Sequence, residues 1–441
     1  MNAEVRQIRT AAEQGLAEQF AHAKHALPGG GAIAALRESA FETFERQGLP
    51  HRRVEEWKYT DLRAAMREAR PLATPQAARS HAADAGQWLA AANARRLVIV
   101  DGVFAAELSD LAGLEKGLSI EPLARALAAG KADIVNPLSS ALSMRSDPAL
   151  MLNTAFMGDG VVIHVEAGAQ IERPIHLVYI AGERAAAMFT RSVAVIGSRA
   201  RIALIEEHRG PDGVEYQVNH ALALAAGEEA SVERIKVVHE GDKALHLATL
   251  LCAVGGRSSI SDFSFTIGGG VVRNQIAMRF EGEEVSARIG GASLLRGKQH
   301  ADNTLVIDHA VPRCTSREVF KAVVDEEART VFQGKIIVRP GAQKTDGKMA
   351  AHALLLSEAA EANAKPELEI FADDVVCGHG ATAGALDDEL LFYLRARGIP
   401  RREAEALMIQ AFIGEAVETL DNEALREALM GEVAGWLGKR T

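Results

Sequence analysis

Gly197-Ser-Arg-Ala-Arg-Ile202, Gly227-Glu-Glu-Ala-Ser-Val232 and Gly255-Gly-Arg-Ser-Ser-Ile260 are three versions of one phrase. Each has a glycine after an apolar run, a small residue three positions on and an apolar residue at the fifth. Working outward, Gly168 precedes them and Gly282 follows, so the series Gly168, Gly197, Gly227, Gly255, Gly282 keeps a nearly constant interval of roughly 30 residues. Gly341 lies two further periods on. Between the glycines stand short runs rich in β-branched residues, such as SVAVI, RIALI, VERIKVV and SDFSFTI, which suit a pleated, half-buried surface. Self-similarity at this period is the mark of a strand-turn solenoid, whose coils bury their faces only against neighbouring coils. The repeat predicts a parallel β-helix from about Asn153 to Val376; an antiparallel sandwich of short strands is the alternative.

The flanks differ in texture. Residues 1–150 read as an N-terminal helical region, patterned from Arg6 to Arg67 and broken at Pro28-Gly29-Gly30-Gly31, where no helix can continue. An isolated strand over Arg96 to Phe104 turns at Asp101-Gly102. Residues 377–441 read as a C-terminal helical region. There Leu386, Leu390, Leu391 and Leu394 share a face, Gly398-Ile399-Pro400 ends the first helix, and Ala404, Leu407, Met408, Ala411, Phe412 and Val417 form an apolar stripe on the second. That stripe packs on the β-core or on a partner.

The 441 residues carry a net charge of −10, with 48% apolar and 24% charged residues. This is the balance of a folded chain with ample core, and it argues against nucleic-acid binding, which needs clustered basic residues. Met1 to Gln14 lacks the apolar stretch of a secretory signal, and no apolar run approaches the ~18 residues of a membrane-spanning helix. Cys252, Cys314 and Cys377 are odd in number and widely scattered, which predicts free thiols and a cytoplasmic setting.

Cys377-Gly378-His379-Gly380 is the most distinctive chemical feature. On an extended backbone positions i and i+2 share a face, so the Cys377 sulfur and the His379 imidazole can meet one soft metal or cluster iron. Two ligands are too few for tetrahedral zinc or a cluster, so the rest would come from elsewhere or from another chain; the competing reading is a structural thiol beside a hydrogen-bonded histidine. His300, Asp302, His309 and Cys314 read as solvated or structural, and His164, His176, His208, His220, His239 and His246 as satisfied histidines of the β-region. No phosphate-cradling G-x-x-x-x-G-K-[ST], G-x-S-x-G or H-E-x-x-H occurs. An ATP-driven or covalent mechanism would therefore need another subunit.

Four ordered segments resemble one family. ADDVVCGHGATAG (Ala372 to Gly384) followed by ELLFYLRARGIP (Glu389 to Pro400), VEEWKYTDLR (Val54 to Arg63), LNTAF (Leu152 to Phe156) and AQKTD (Ala342 to Asp346) are similar to motifs of the SufB/SufD family of the SUF iron–sulfur cluster assembly system. Met349-Ala350-Ala351-His352-Ala353-Leu354 has no thiol where SufB-like chains carry their assembly cysteine, and His379-Gly380-Ala381-Thr382-Ala383 departs from their H-E-A-T-T; both departures favour the SufD branch. The resemblance implies a right-handed parallel β-helix between helical regions, and a non-catalytic scaffold subunit that pairs with SufB and binds the SufC ATPase through its C-terminal helices. Leu390, Phe392, Tyr393, Leu394, Leu407 and Phe412 are the candidate SufC contacts. It further implies a transient iron–sulfur cluster or iron at the subunit interface, with His379 and Cys377 as its ligands and no permanently bound cofactor; for the chain made alone, a homodimer and the heterodimer with SufB are both left open. The paralogous SufB itself and a carbohydrate-active β-helix enzyme are the alternatives.

Overall fold

The computed structural model describes residues 9–74, 87–130 and 147–440. Two sheets face each other and the chain alternates between them, one strand to each per coil. The ten-stranded sheet runs from Val103–Phe104 through Arg95–Val100, Ile175–Ile180, Arg201–Arg209, Ser231–His239, Ser259–Thr266, Ser286–Leu295, Thr315–Val324 and Asp346–Leu355 to Val376–Gly384. The nine-stranded sheet runs from Leu118–Pro122 through Val161–Val165, Ala187–Ile196, Gln217–Ala226, Leu245–Val254, Val271–Phe280, His300–His309 and Arg329–Val338 to Glu361–Ile370. Only the two end strands, Val103–Phe104 and Leu118–Pro122, join antiparallel; every other strand pairing among the described residues is parallel, which excludes the antiparallel sandwich.

The sequence period is the strand register. Ile175 pairs with Leu204, Arg201 with Ser231, Ser231 with Ser259 and Ser259 with Ser286, and these offsets repeat the successive glycine intervals one for one. At each corner the backbone of one coil lies on that of the coil before. A Cβ built on Gly197, Gly227, Gly255 or Gly282 would lie 2.5, 2.7, 2.8 or 2.1 Å from a backbone nitrogen of the preceding corner. Two residues after each glycine the chain turns through a left-handed residue, Arg199, Glu229, Arg257 and Glu284. Glycine is therefore fixed here by close stacking, and the left-handed bend that follows redirects the chain into the next sheet.

Side chains alternate across each strand. Ile202, Leu204, Val232, Ile260, Leu222, Leu224, Cys252 and Met278 point inward and fill the space between the sheets. The opposite faces carry the helices. Ala11–Ala23, closed by a Thr10/Glu13 capping box, packs with Ala32–Gln47 and Pro148–Phe156 over Ala187, Phe189, Ala221 and Leu247. Two of the quoted motifs are fastenings of this layer. Trp57 is buried, donates from Nε1 to Asp147 at 3.0 Å and stacks under Arg273; Asn153 donates to the carbonyls of Thr190 and Asn219 at 2.9 and 2.8 Å. The helix break falls where expected, at the positive-φ Gly29 and Gly31; the expected start at Arg6 lies outside the described residues.

Three expectations change. The strand at Arg95–Val100 is not isolated: it pairs in parallel with Ile175–Ile180 and, through the left-handed Asp101-Gly102 turn, antiparallel with Val103–Phe104. The solenoid continues past residue 376, because Val376–Gly384 is a strand and the first C-terminal helix begins only at Asp388. The stripe of the second C-terminal helix, Arg401–Val417, is rotated from its expected setting. Ala404, Ile409, Ile413, Ala416 and Val417 are buried, the last four in the cluster that packs on the ten-stranded sheet, while Leu407 is exposed.

Candidate functional site

The last coil leaves both sheets open. Val376–Gly384 pairs only with Asp346–Leu355, and Glu361–Ile370 only with Arg329–Val338, so each presents a row of unpaired backbone groups among the described residues. The two edges are not alike. Glu361–Ile370 carries Pro366 and four charged side chains, the usual means of blunting an edge; Val376–Gly384 (VCGHGATAG) carries neither. A Cβ at Gly378, Gly380 or Gly384 would meet nothing within 4 Å, so another backbone can approach closely. Seven of the nine exposed large apolar side chains among the described residues, Ile370, Phe371, Val376, Leu390, Phe392, Tyr393 and Leu407, lie at this end.

Cys377 and His379 both sit on this uncovered strand, opposite Gly347 and Met349 of the neighbouring strand. Cys377 is half-buried against the inner core and His379 is exposed. Separated by two strand rises, about 6.6 Å, their side chains leave the same face and can converge on one ion or on adjacent irons. Burial pushes the Cys377 thiol up, with Asp346 and Glu318 adding to it, so a metal ion at this sulfur would have to displace its proton.

Beneath them, one coil before Met349, lies Glu318. It is fully buried, and among the described residues neither carboxyl oxygen makes a hydrogen bond of normal geometry, with Ser316 only weakly favouring its charge. Burial raises its pKa from 4.5 to about 7. The folded chain thus favours the neutral acid where the unfolded chain ionises, so this stabilisation is complete below about pH 4.5 and is lost as pH rises through 7. The loss amounts to about 3 kcal/mol. Glu318→Gln is expected to unfold several degrees above wild type at pH 8, with the gap closing by pH 5 in thermal melts; a gap independent of pH would contradict the assignment.

The first C-terminal helix, Asp388–Ala396, is capped by Asp387, which accepts from the amides of Glu389 and Leu390 at 2.8 and 3.0 Å. It turns Leu391 inward and leaves Phe392 74% and Tyr393 51% exposed. Of the six apolar residues singled out in sequence, Leu390, Phe392, Tyr393 and Leu407 are exposed, Leu394 is half-buried, and Phe412 packs toward the sheet under Lys321, whose Nζ lies 4.6 Å from the ring centroid.

The remaining thiols are structural. Cys252 and Cys314 are buried, and burial raises both. His300 bonds Thr60 at 2.8 Å and His309 bonds Ser316 at 3.0 Å. Among the β-region histidines, His164 is exposed, His176 and His239 pair with Glu207 and Glu432 at 2.9 Å, and His220 and His246 have polar partners on both nitrogens. His208 departs from this pattern: it is fully buried and, among the described residues, neither nitrogen has a hydrogen-bond partner.

His208 belongs to a polar network inside the solenoid that the motif reading missed. Along the inward-facing alternation Ile202, Leu204, Glu206, His208, the apolar lining gives way to charge. Arg234 donates to Glu206 at 2.8 Å and to Asp262 at 2.6 Å, each partner 28 residues, or one coil, away. Burial opposes these charges, but Glu206 and Asp262 hold the guanidinium above its ordinary value; burial likewise works against the Glu206 charge, yet Arg234, His208 and His220 hold it well below its usual range. His208, His220 and His246 are kept neutral, chiefly by burial. The available signal was the alternation itself, in which Glu206, Arg234, Lys236 and Asp262 occupy positions of inward parity.

Two family models match the chain, the SufBD protein N-terminal region over residues 11–177 and the SUF system FeS cluster assembly, SufBD core domain over residues 178–412. An iron–sulfur cluster assembly SufBD family protein of Synechocystis is 29% identical over 405 residues, covering 89% of this chain and 88% of that protein. The iron–sulfur cluster assembly protein SufD of Escherichia coli is 29% identical over 392 residues, covering 88% and 89%, and a chloroplastic protein of Arabidopsis thaliana, ABCI7, is 27% identical over 430 residues, covering 92% and 86%. With the core-domain model spanning more than half its length and both models meeting at the first coils of the solenoid, the chain belongs to the SufBD family of SUF-system iron–sulfur cluster assembly proteins.

Proposed function

We propose that the chain is a non-catalytic scaffold subunit on the SufD side of the family, which pairs with SufB through its uncovered edge strand so that iron or a nascent cluster is assembled between the two subunits. The observation that carries this reading is the position of Cys377 and His379 on an unblunted edge strand within an apolar rim. A second strand adding to Val376–Gly384 would satisfy its backbone groups and bring further ligands opposite the two that this chain supplies. The iron or cluster is cargo here. Leu390, Phe392, Tyr393 and Leu407 form the surface for the SufC ATPase, with Leu394 and Phe412 supporting it from below. Among the described residues no helix is long and apolar enough to cross a membrane.

One co-expression experiment tests both surfaces. The chain is tagged and purified anaerobically with SufB and SufC, as wild type, His379→Ala, Cys377→Ala and Phe392→Asp, and subunit stoichiometry, iron and sulfide are measured. The expected result is an intact complex with cluster content reduced at least about tenfold in His379→Ala, a smaller loss in Cys377→Ala, and SufC missing in Phe392→Asp. Wild-type cluster content in both site variants would return Cys377 and His379 to a structural role.

A further inference from the structure

We propose that the interior of the solenoid holds a second metal site, in which Glu206, His208 and His220 ligate one divalent first-row transition-metal ion of the zinc or ferrous class, some distance along the chain from Cys377 and His379. It stands on geometry independent of the scaffold reading. One ligand atom from each of the three residues lies within 4.8 Å of the others, and all three residues are buried. A tetrahedral ion at about 2.1 Å from its ligands requires their atoms to be about 3.4 Å apart, so side-chain adjustments of an ångström or less close the site. Neutral imidazole with carboxylate is the donor set that such ions prefer.

The hydrogen bonds leave the required atoms available. Arg234 holds Glu206 through Oε1 at 2.8 Å and through a longer bond to Oε2 at 3.3 Å, and is itself held by Asp262, so Oε2 is the more weakly held oxygen and can turn to an ion. His220 Nδ1 is 2.9 Å from the Thr190 hydroxyl and Nε2 is 3.1 Å from Glu206 Oε2. On metal binding the ion takes the place of the Nε2 proton, and the proton sits on Nδ1 and is donated to Thr190, the outer-sphere bond that usually orients a ligating histidine. His208 contributes the observation that points to a ligand. It is fully buried, has no hydrogen-bond partner on either nitrogen among the described residues, stands 3.8 Å from Glu206, and is held in place by Tyr179 stacked on it at 4.5 Å. An imidazole stripped of water, with a carboxylate no nearer than 3.8 Å and no hydrogen bond of its own, carries a desolvation penalty that a ligated ion would remove.

His208 also belongs to a second triad with Glu240 and His246. Glu240 lines a cleft of about 840 Å³ between the last helix, at Glu432 and Trp436, and the turns at Asp212 and Asp242. The cleft supplies the entry path, with Glu240 and His246 passing the ion inward to His208.

The test uses the full chain stripped of metal and titrated anaerobically with cobalt(II), read by equilibrium dialysis and by the visible d–d bands of the bound ion. One cobalt per chain is expected, with affinity falling roughly 100-fold in His208→Ala and in His220→Gln, a ligand loss at or beyond the upper end of outer-sphere effects, while His379→Ala and Cys377→Ala leave it unchanged. Circular dichroism checks that the variants fold. Should they not, cobalt K-edge absorption of the wild-type chain decides: a nitrogen and oxygen shell with imidazole scattering is expected. Absence of stoichiometric binding, a sulfur in the first shell, or loss of the ion in His379→Ala would overturn the proposal.

Discussion

Replacing Arg234 by methionine is expected to destabilise the chain by about 3–5 kcal/mol, because it strips the counter-charge from two carboxylates that have no access to water. Glu206 and Asp262 are at most 2% exposed, and Arg234 is 4% exposed. The guanidinium spans three successive coils, so its loss leaves charge unpaired in the two coils on either side. Thermal or urea unfolding measures the effect, and a second variant separates its causes. Arg234→Met combined with Glu206→Gln and Asp262→Asn removes the stranded charges and is expected to recover most of the stability, since an interior ion network is commonly replaceable by uncharged groups of similar size. If the single variant were as stable as wild type, the network would have to be hydrated rather than dry.

Gly282→Ala is expected to cost about 4 kcal/mol or more, an exceptional value for one methyl group. The added Cβ would lie 2.1 Å from the Gly256 nitrogen and 2.5 Å from its Cα; both are backbone atoms and cannot swing aside. The corners at Gly255 and Gly282 have to separate, and the pairing of Ser259–Thr266 with Ser286–Leu295 is strained along its length. Gly168 and Gly341 provide the contrast. They have φ of 77° and 89° with nothing within 4 Å of a built Cβ, so asparagine there meets only a left-handed backbone and costs about 1 kcal/mol. Calorimetry of Gly282→Ala beside Gly341→Asn should show the first far below the second. Equal melting temperatures would mean that stacking does not fix these glycines.

The difference between those glycines shows what a one-dimensional pattern conveys. The repeat is set by the circumference of a coil, and the circumference is the register, so the spacing of Gly168, Gly197, Gly227, Gly255 and Gly282 was enough to predict a stack of parallel strands. It could not say that Gly168 is there for its dihedral angles and Gly282 for lack of room, since the second reason lies in the backbone of Gly256, a corner of the preceding coil. Cys377 and His379 were legible as a pair because their spacing is local. Their location on a strand was not, because glycine and alanine in VCGHGATAG have weak strand preference and the sheet formed by the previous coil imposes the conformation.

Charge pattern fared worse than apolar pattern for the same reason. The sequence by itself determined the solenoid, its helical flanks and the inward parity of Glu206, His208, Arg234 and Asp262, all of which follow from the alternation along a strand and the length of a coil. Only the tertiary structure decided that these groups meet. Glu206, Arg234 and Asp262 come from three coils and His220 from the opposite sheet, so each finds its partner across 14 or 28 residues. The cost of burying a charge is settled by those partners, and so is the availability of His208, which the fold places among potential ligands and leaves without a hydrogen bond.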